Sequence, residues 1–117
     1  MDVIDIRTLE QLSDLIGGDT NALQELIETF IEEGADIIAA MKASIAEENL
    51  DVLRRGAHSM KASAQDFGAT ALSELNATLE SQCKAGWPQS AGPQTIEIAQ
   101  KFSLASAELK RYVDTNC

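Results

Sequence analysis

A chain of 117 residues is long enough for one domain with one core and too short for two, so residues 1–117 are read as a single domain. Apolar residues make up 44% and aromatic residues only 4%, which leaves Leu, Ile and Ala to fill the core and favours packed helices. A net charge of −10 argues against nucleic acid and anionic membranes as partners, and no apolar run is long enough to span a bilayer.

Residues 1–7 are acidic and alternating, with no apolar stretch behind a basic start, so they do not read as a secretory signal. A short first helix is predicted over residues 8–16 and is ended by Gly17-Gly18. Asp19 or Thr20 then offers an N-cap oxygen to a long second helix over 21–47. Leu23, Leu26, Ile27, Phe30, Ile31, Ile37, Ile38, Met41 and Ile45 recur there in steps of three and four, one apolar stripe. Gly34 interrupts it at a cost of roughly 1 kcal/mol against Ala, and marks either a bend or a close packing.

Glu48-Asn49 is a short break before a third helix over 50–67, which Gly68 ends. A fourth helix over 69–84 places Leu72, Leu75, Leu79 and Cys83 on one face. Residues 86–93 form the one clear loop, where Trp87 is expected to cap an end of the fold. The last helix, over 94–115, carries Ile98, Phe102, Ala105, Leu109 and Tyr112 in alternating steps of four and three. No stretch alternates as a strand would. The predicted fold is all-α, an antiparallel up-down-up-down four-helix bundle with a short extra N-terminal helix. Such a bundle buries its own stripes, so a monomer is expected. Cys83 and Cys117 lie far apart with no metal-ligand spacing, which suits a reduced, cytoplasmic compartment.

Charge is distributed unevenly. Residues 1–50 hold 12 acidic and 2 basic residues, and residues 64–117 hold 6 and 4. Only residues 51–63 are locally basic, with Asp51 against Arg54, Arg55 and Lys61, and they surround the single histidine, His58. In the third helix Leu53, Ala57, Met60, Ala64 and Phe67 mark the buried side. At 100° per residue His58 points about 140° away from it, toward solvent. Asp51, Arg55, Ala62 and Gln65 share its face, with Arg54 and Lys61 at the edges. Exposed imidazole is largely neutral at pH 7 and can act as a nucleophile. A phosphoryl group would bring about two negative charges to such a ring. Lys61, one turn on, lies within reach to offset them, and Ala62 leaves room beside the ring.

The stretch Ala57-His58-Ser59-Met60-Lys61-Ala62-Ser63, continued through Gly68-Ala69, resembles the histidine-containing phosphotransfer (HPt) domain family. Leu72, Leu75 and the pair Leu79-Glu80 fall at that family's offsets from the histidine, so the close match covers about 25 residues. The resemblance implies a four-helix bundle with His58 exposed on its second long helix. It implies that His58 accepts phosphate from the aspartyl phosphate of one receiver domain and gives it to another, in the phosphorelay of a two-component system. By position, Lys61 would help neutralise the phosphate and residue 62 would be the close-approach position. Ser63 and Gly68 would be helix-packing and helix-ending residues. Two positions depart from the family pattern: Met60 stands for Leu, and Ala62 for Gly.

Arg54, Arg55, Ala62 and Gln65 form the expected docking surface for receiver domains of response regulators or hybrid kinases. The sequence holds no Gly-rich nucleotide loop and no carboxylate cluster suited to Mg²⁺. The expectation is therefore a phosphotransfer intermediate with no cofactor or metal and no ATP-dependent kinase activity of its own, Mg²⁺ residing on the receiver. A different class of function is a helical-bundle adaptor that binds signalling partners and is never phosphorylated. The chain's start fits either a free-standing protein or a domain trimmed from a larger kinase.

Overall fold

Helix length decides the architecture. The computed structural model describes residues 3–116 and contains five helices: α1 (Ile6–Leu15), α2 (Thr20–Glu47), α3 (Leu50–Asp66), α4 (Thr70–Cys83) and α5 (Ala91–Asn116). At 1.5 Å per residue, the 28 residues of α2 and the 26 of α5 span about 42 and 39 Å. They run the full 43 Å length of the molecule. The 17 residues of α3 and 14 of α4 reach only about 26 and 21 Å.

Each long helix packs on the next, and α5 closes the ring against α2. Beyond the turn between α3 and α4, however, the long pair stands alone. There α1 packs against α2 and covers the open end, burying Ile4 and Leu9. The backbone N–H of Asp5 donates to the carbonyl of Gly68 at 2.8 Å, tying α1 to the α3–α4 turn. Gly68 adopts φ +79°, and a Cβ there would lie 2.7 Å from the Asp5 carbonyl oxygen. Both the handedness and the contact require glycine.

The helix starts obey side-chain capping. The side chains of Asp5, Asp19 and Asn49 accept from the backbone N–H of Arg7, Ala22 and Val52 at 3.1, 3.0 and 3.2 Å, satisfying donors that have no partner within the helix. Asp19, not Thr20, is thus the cap of α2. The Asp5 cap also corrects the first helix, which begins at Ile6 rather than at residue 8. The last helix begins at Ala91 rather than at residue 94, so Gly92 and Pro93 belong to its first turn and not to the loop. A proline lacks an N–H that the first turn would leave unpaired in any case. Trp87 is half-buried and packs against the core, as a cap of that end should. Met1, Asp2 and Cys117 lie outside the described residues. Cys83 is a buried free thiol.

The core is aliphatic, with Leu53, Met60, Leu79 and Ile98 wholly inaccessible. Phe30 gathers Phe67 and Phe102 around it, at ring-centroid distances of 4.8 and 5.6 Å. Gly34 serves close packing: a Cβ on it would overlap the Phe102 ring. The balance between helix propensity, worth roughly 1 kcal/mol in favour of Ala, and overpacking, costing about 1–3 kcal/mol, then predicts a net loss. Gly34→Ala should lower the denaturant midpoint, and the loss should shrink in a Phe102→Leu background, where the ring is gone.

Candidate functional site

The apolar stripe of α3 turns Leu53, Ala57, Met60 and Ala64 into the core, and the opposite side of the helix carries His58. Its side chain is 65% exposed. Ala62 and Gln65, one and two turns further on, are exposed on the same side. The geometry expected from helical periodicity holds for all three.

α4 lies against this face and adds a residue that the family resemblance matched by position but to which sequence reasoning gave no role at the site. Glu80, whose side chain is only 9% exposed, places Oε2 2.6 Å from His58 Nδ1 and Oε1 2.5 Å from Lys61 Nζ. One carboxylate therefore joins the two residues expected at the site. The Ser73 hydroxyl donates to the Lys61 carbonyl at 2.9 Å, a second polar tie between the helices. The signal available in the sequence was slight. Glu80 sits on the flank of the stripe Leu72, Leu79 and Cys83, where an acid is out of place unless something meets it.

The protonation state follows from the same contacts. Hydrogen bonding from the Lys61 ammonium holds the Glu80 carboxyl below its ordinary value, outweighing the opposite pull of burial, with His58 adding in the same direction. An ionised carboxylate can only accept, so the short contact to His58 requires Nδ1 to donate. In a neutral ring the lone pair then resides on Nε2. Glu80 thereby fixes the tautomer and leaves the unprotonated nitrogen on the side of the ring away from it.

The two arginines are placed differently. Arg54 Nη2 and Arg55 Nε each lie 3.0 Å from the Asp51 carboxylate, one to two turns before His58. Their charges are shared with Asp51, and both remain substantially exposed, at 43% and 67%. Burial pushes the Cys83 thiol up, opposed by the nearby Arg54 charge and reinforced by Glu80.

The site is an open surface. A cavity of about 440 Å³ lies elsewhere, between α2 and α5, lined by Ile27, Glu28, Ile31 and Lys110 among others. Among the described residues, no group of His, Cys, Asp and Glu side chains could hold a metal ion, and no helix is long and apolar enough to cross a membrane. An imidazole presented on an open helix face suits contact with another macromolecule better than capture of a small substrate.

The model of the Hpt domain family matches residues 25–115. The phosphorelay protein LuxU of Vibrio harveyi is 31% identical over 97 residues, covering 83% of each chain. The crystal structure of histidine-containing phosphotransfer protein B (HptB) from Pseudomonas aeruginosa PAO1 superposes with a TM-score of 0.89 at 21% identity, over 97% of this chain and 96% of that one, a likeness of fold.

The ion pair has a measurable pH signature. The Glu80 carboxyl is depressed in the folded state, so its stabilising contribution is complete above its ordinary value of 4.5 and is lost as pH falls through the folded value. In Lys61→Met the ammonium is gone and burial dominates. The Glu80 carboxyl should then titrate at higher pH than in the parent, read from its carboxyl ¹³C shift, and the protein should unfold at lower denaturant concentration at pH 7.

Proposed function

Since the chain belongs to the Hpt domain family, whose members are phosphotransfer intermediates, and is a phosphorelay phosphocarrier of two-component signalling, we propose that His58 is the residue that carries the phosphoryl group. The observation that supports this is the Glu80–Nδ1 contact, which leaves the Nε2 lone pair facing outward.

Nε2 attacks the phosphorus of an aspartyl phosphate on a receiver domain, the bond from phosphorus to the carboxylate oxygen breaks, and the aspartate leaves as its carboxylate. The reverse step delivers the group to a second receiver. Lys61 has three N–H donors and gives one to Glu80, so others are free to meet the phosphoryl oxygens. Arg54, Arg55, Ala62 and Gln65 form the surrounding docking surface for the receiver. The two basic side chains meet an acidic receiver pocket and speed the encounter.

Residues 1–117 act as one unit in this reading, as a monomer in the cytoplasm. The chain needs no cofactor, binds neither nucleic acid nor membrane, and does not phosphorylate itself from ATP. Mg²⁺ and the phosphorylatable aspartate belong to the receiver.

Incubation with a phosphorylated receiver should place an acid-labile, base-stable phosphate on this chain. His58→Gln should carry none; equal labelling of that variant would refute the assignment. Lys61→Ala should still be labelled, but about tenfold or more slowly, the scale of one lost charge-assisted contact. Ala62 is exposed, so Ala62→Trp should leave the thermal midpoint almost unchanged while blocking transfer from the receiver by steric exclusion.

A further inference from the structure

We propose that Glu80 keeps the ring of phosphorylated His58 protonated at Nδ1, and so governs how readily the phosphoryl group leaves. The inference rests on phosphorylation of His58 at Nε2, as argued above, and concerns what the ring becomes afterwards.

Before transfer a neutral imidazole owns one N–H, and the Glu80 contact holds it at Nδ1. Once Nε2 is bonded to phosphorus, a neutral ring has no N–H at all. Nδ1 would then present a lone pair to a carboxylate oxygen 2.6 Å away, and two acceptors at that separation repel unless a proton lies between them. The carboxylate has little water to turn to, being 9% exposed, and its other oxygen is committed to Lys61 at 2.5 Å. The charges facing the ring favour the same outcome. Glu80 from α4 and the incoming phosphoryl group are negative, and among the described residues Lys61 from α3 is the cationic side chain bonded to Glu80 besides the ring itself. Arg54 is drawn to Asp51, and burial keeps Cys83 as the neutral thiol. Retaining the proton leaves the cluster with less uncompensated negative charge than losing it.

The consequence is chemical. When a receiver carboxylate attacks the phosphorus, the Nε2–P bond breaks and its electron pair returns to Nε2. With the proton retained, the ring departs as neutral imidazole, its Nδ1–H still donated to Glu80. Without it, the leaving group would be an imidazolide anion, far more basic and correspondingly slower to leave. Charge and protons balance across the step, because the ring loses its positive charge as the receiver carboxylate becomes a neutral acyl group bearing the phosphate. Glu80 touches neither phosphorus nor receiver. It is a positioning residue that acts through His58.

The test uses the full chain, labelled with phosphoramidate as a small phosphoryl donor and with ¹⁵N in the histidine ring. In the phosphorylated parent the Nδ1 chemical shift should remain that of a protonated nitrogen up to pH 8. Decay of the phosphate, followed by ³¹P NMR from pH 5 to 9, is then compared with Glu80→Gln, whose amide can donate to a bare Nδ1 and so tolerates the neutral ring. The variant should hold its phosphate longer than the parent at pH 8, by about tenfold for each unit of pH by which its ring proton is lost sooner. The two profiles should converge near pH 5, where both rings are protonated. A purely structural role for Glu80 would shift the decay by one factor at every pH, and parallel profiles would overturn the proposal. So would a bare Nδ1 in the phosphorylated parent at pH 7, a result that needs no variant to fold. Absence of any phosphate on the parent is a separate outcome, which would overturn the assignment of His58 and this inference with it.

Discussion

A carboxylate withdrawn from water must find donors or cations, or it gives up its charge. Glu80 finds both within one turn of α3. Lys61 offers an ammonium and His58 a ring N–H, and the register of α4 against α3 has to bring the carboxylate between them. The Ser73 hydroxyl on the Lys61 carbonyl holds the same register from the other side. Everything distinctive about the face around His58 depends on this placement: the tautomer, the outward Nε2, and the nearness of a cation to whatever that nitrogen binds.

The rest of the bundle holds those two helices still. α2 and α5 do so by coming close together, with Gly34 admitting the edge of the Phe102 ring. Because α3 and α4 are much shorter than the pair they pack on, the remaining length of α2 and α5 would expose its apolar stripe. α1 covers that stretch, held by the Asp5–Gly68 backbone hydrogen bond and by the burial of Ile4 and Leu9. The short N-terminal helix thus completes the core at the end that the site does not occupy.

Much of this was legible in the residues. The stripes of α2 and α3 and the glycine at position 68 carried the helix count, the fold and the exposure of His58, because helical periodicity is a local property. Helix starts were less legible. Asp5 was not recognised as a cap, and Pro93 was placed in the loop although it sits in a first turn that has no N–H partner to lose. Gly34 gave two readings that only the position of Phe102 could separate. Glu80 was matched by position in the family pattern, but what it does there was the substantive omission. Its role arises from a contact across 22 residues, and a lone acid beside an apolar stripe does not announce which cations will meet it. Arg54 and Arg55 looked equivalent to Lys61 by charge, yet Asp51 draws them toward the helix start.

That 22-residue separation also bears on how the molecule assembles. α3 and α4 meet through a tight turn at residues 67–69, so the site closes over a short loop. The α2–α5 contact at Gly34 and Phe102 must instead bring together segments roughly three times as distant along the chain. Closure entropy grows with the logarithm of that distance, a difference of about 1 kcal/mol in favour of the local pair. The α3–α4 hairpin is therefore a natural early unit of folding, ahead of the α2–α5 closure. It can also keep its geometry when the stretch of α2 and α5 beyond its turn, capped by α1, opens in the native ensemble. The face around His58 is thus built on a contact more local than the one that closes the bundle, and its persistence need not track the stability of the whole.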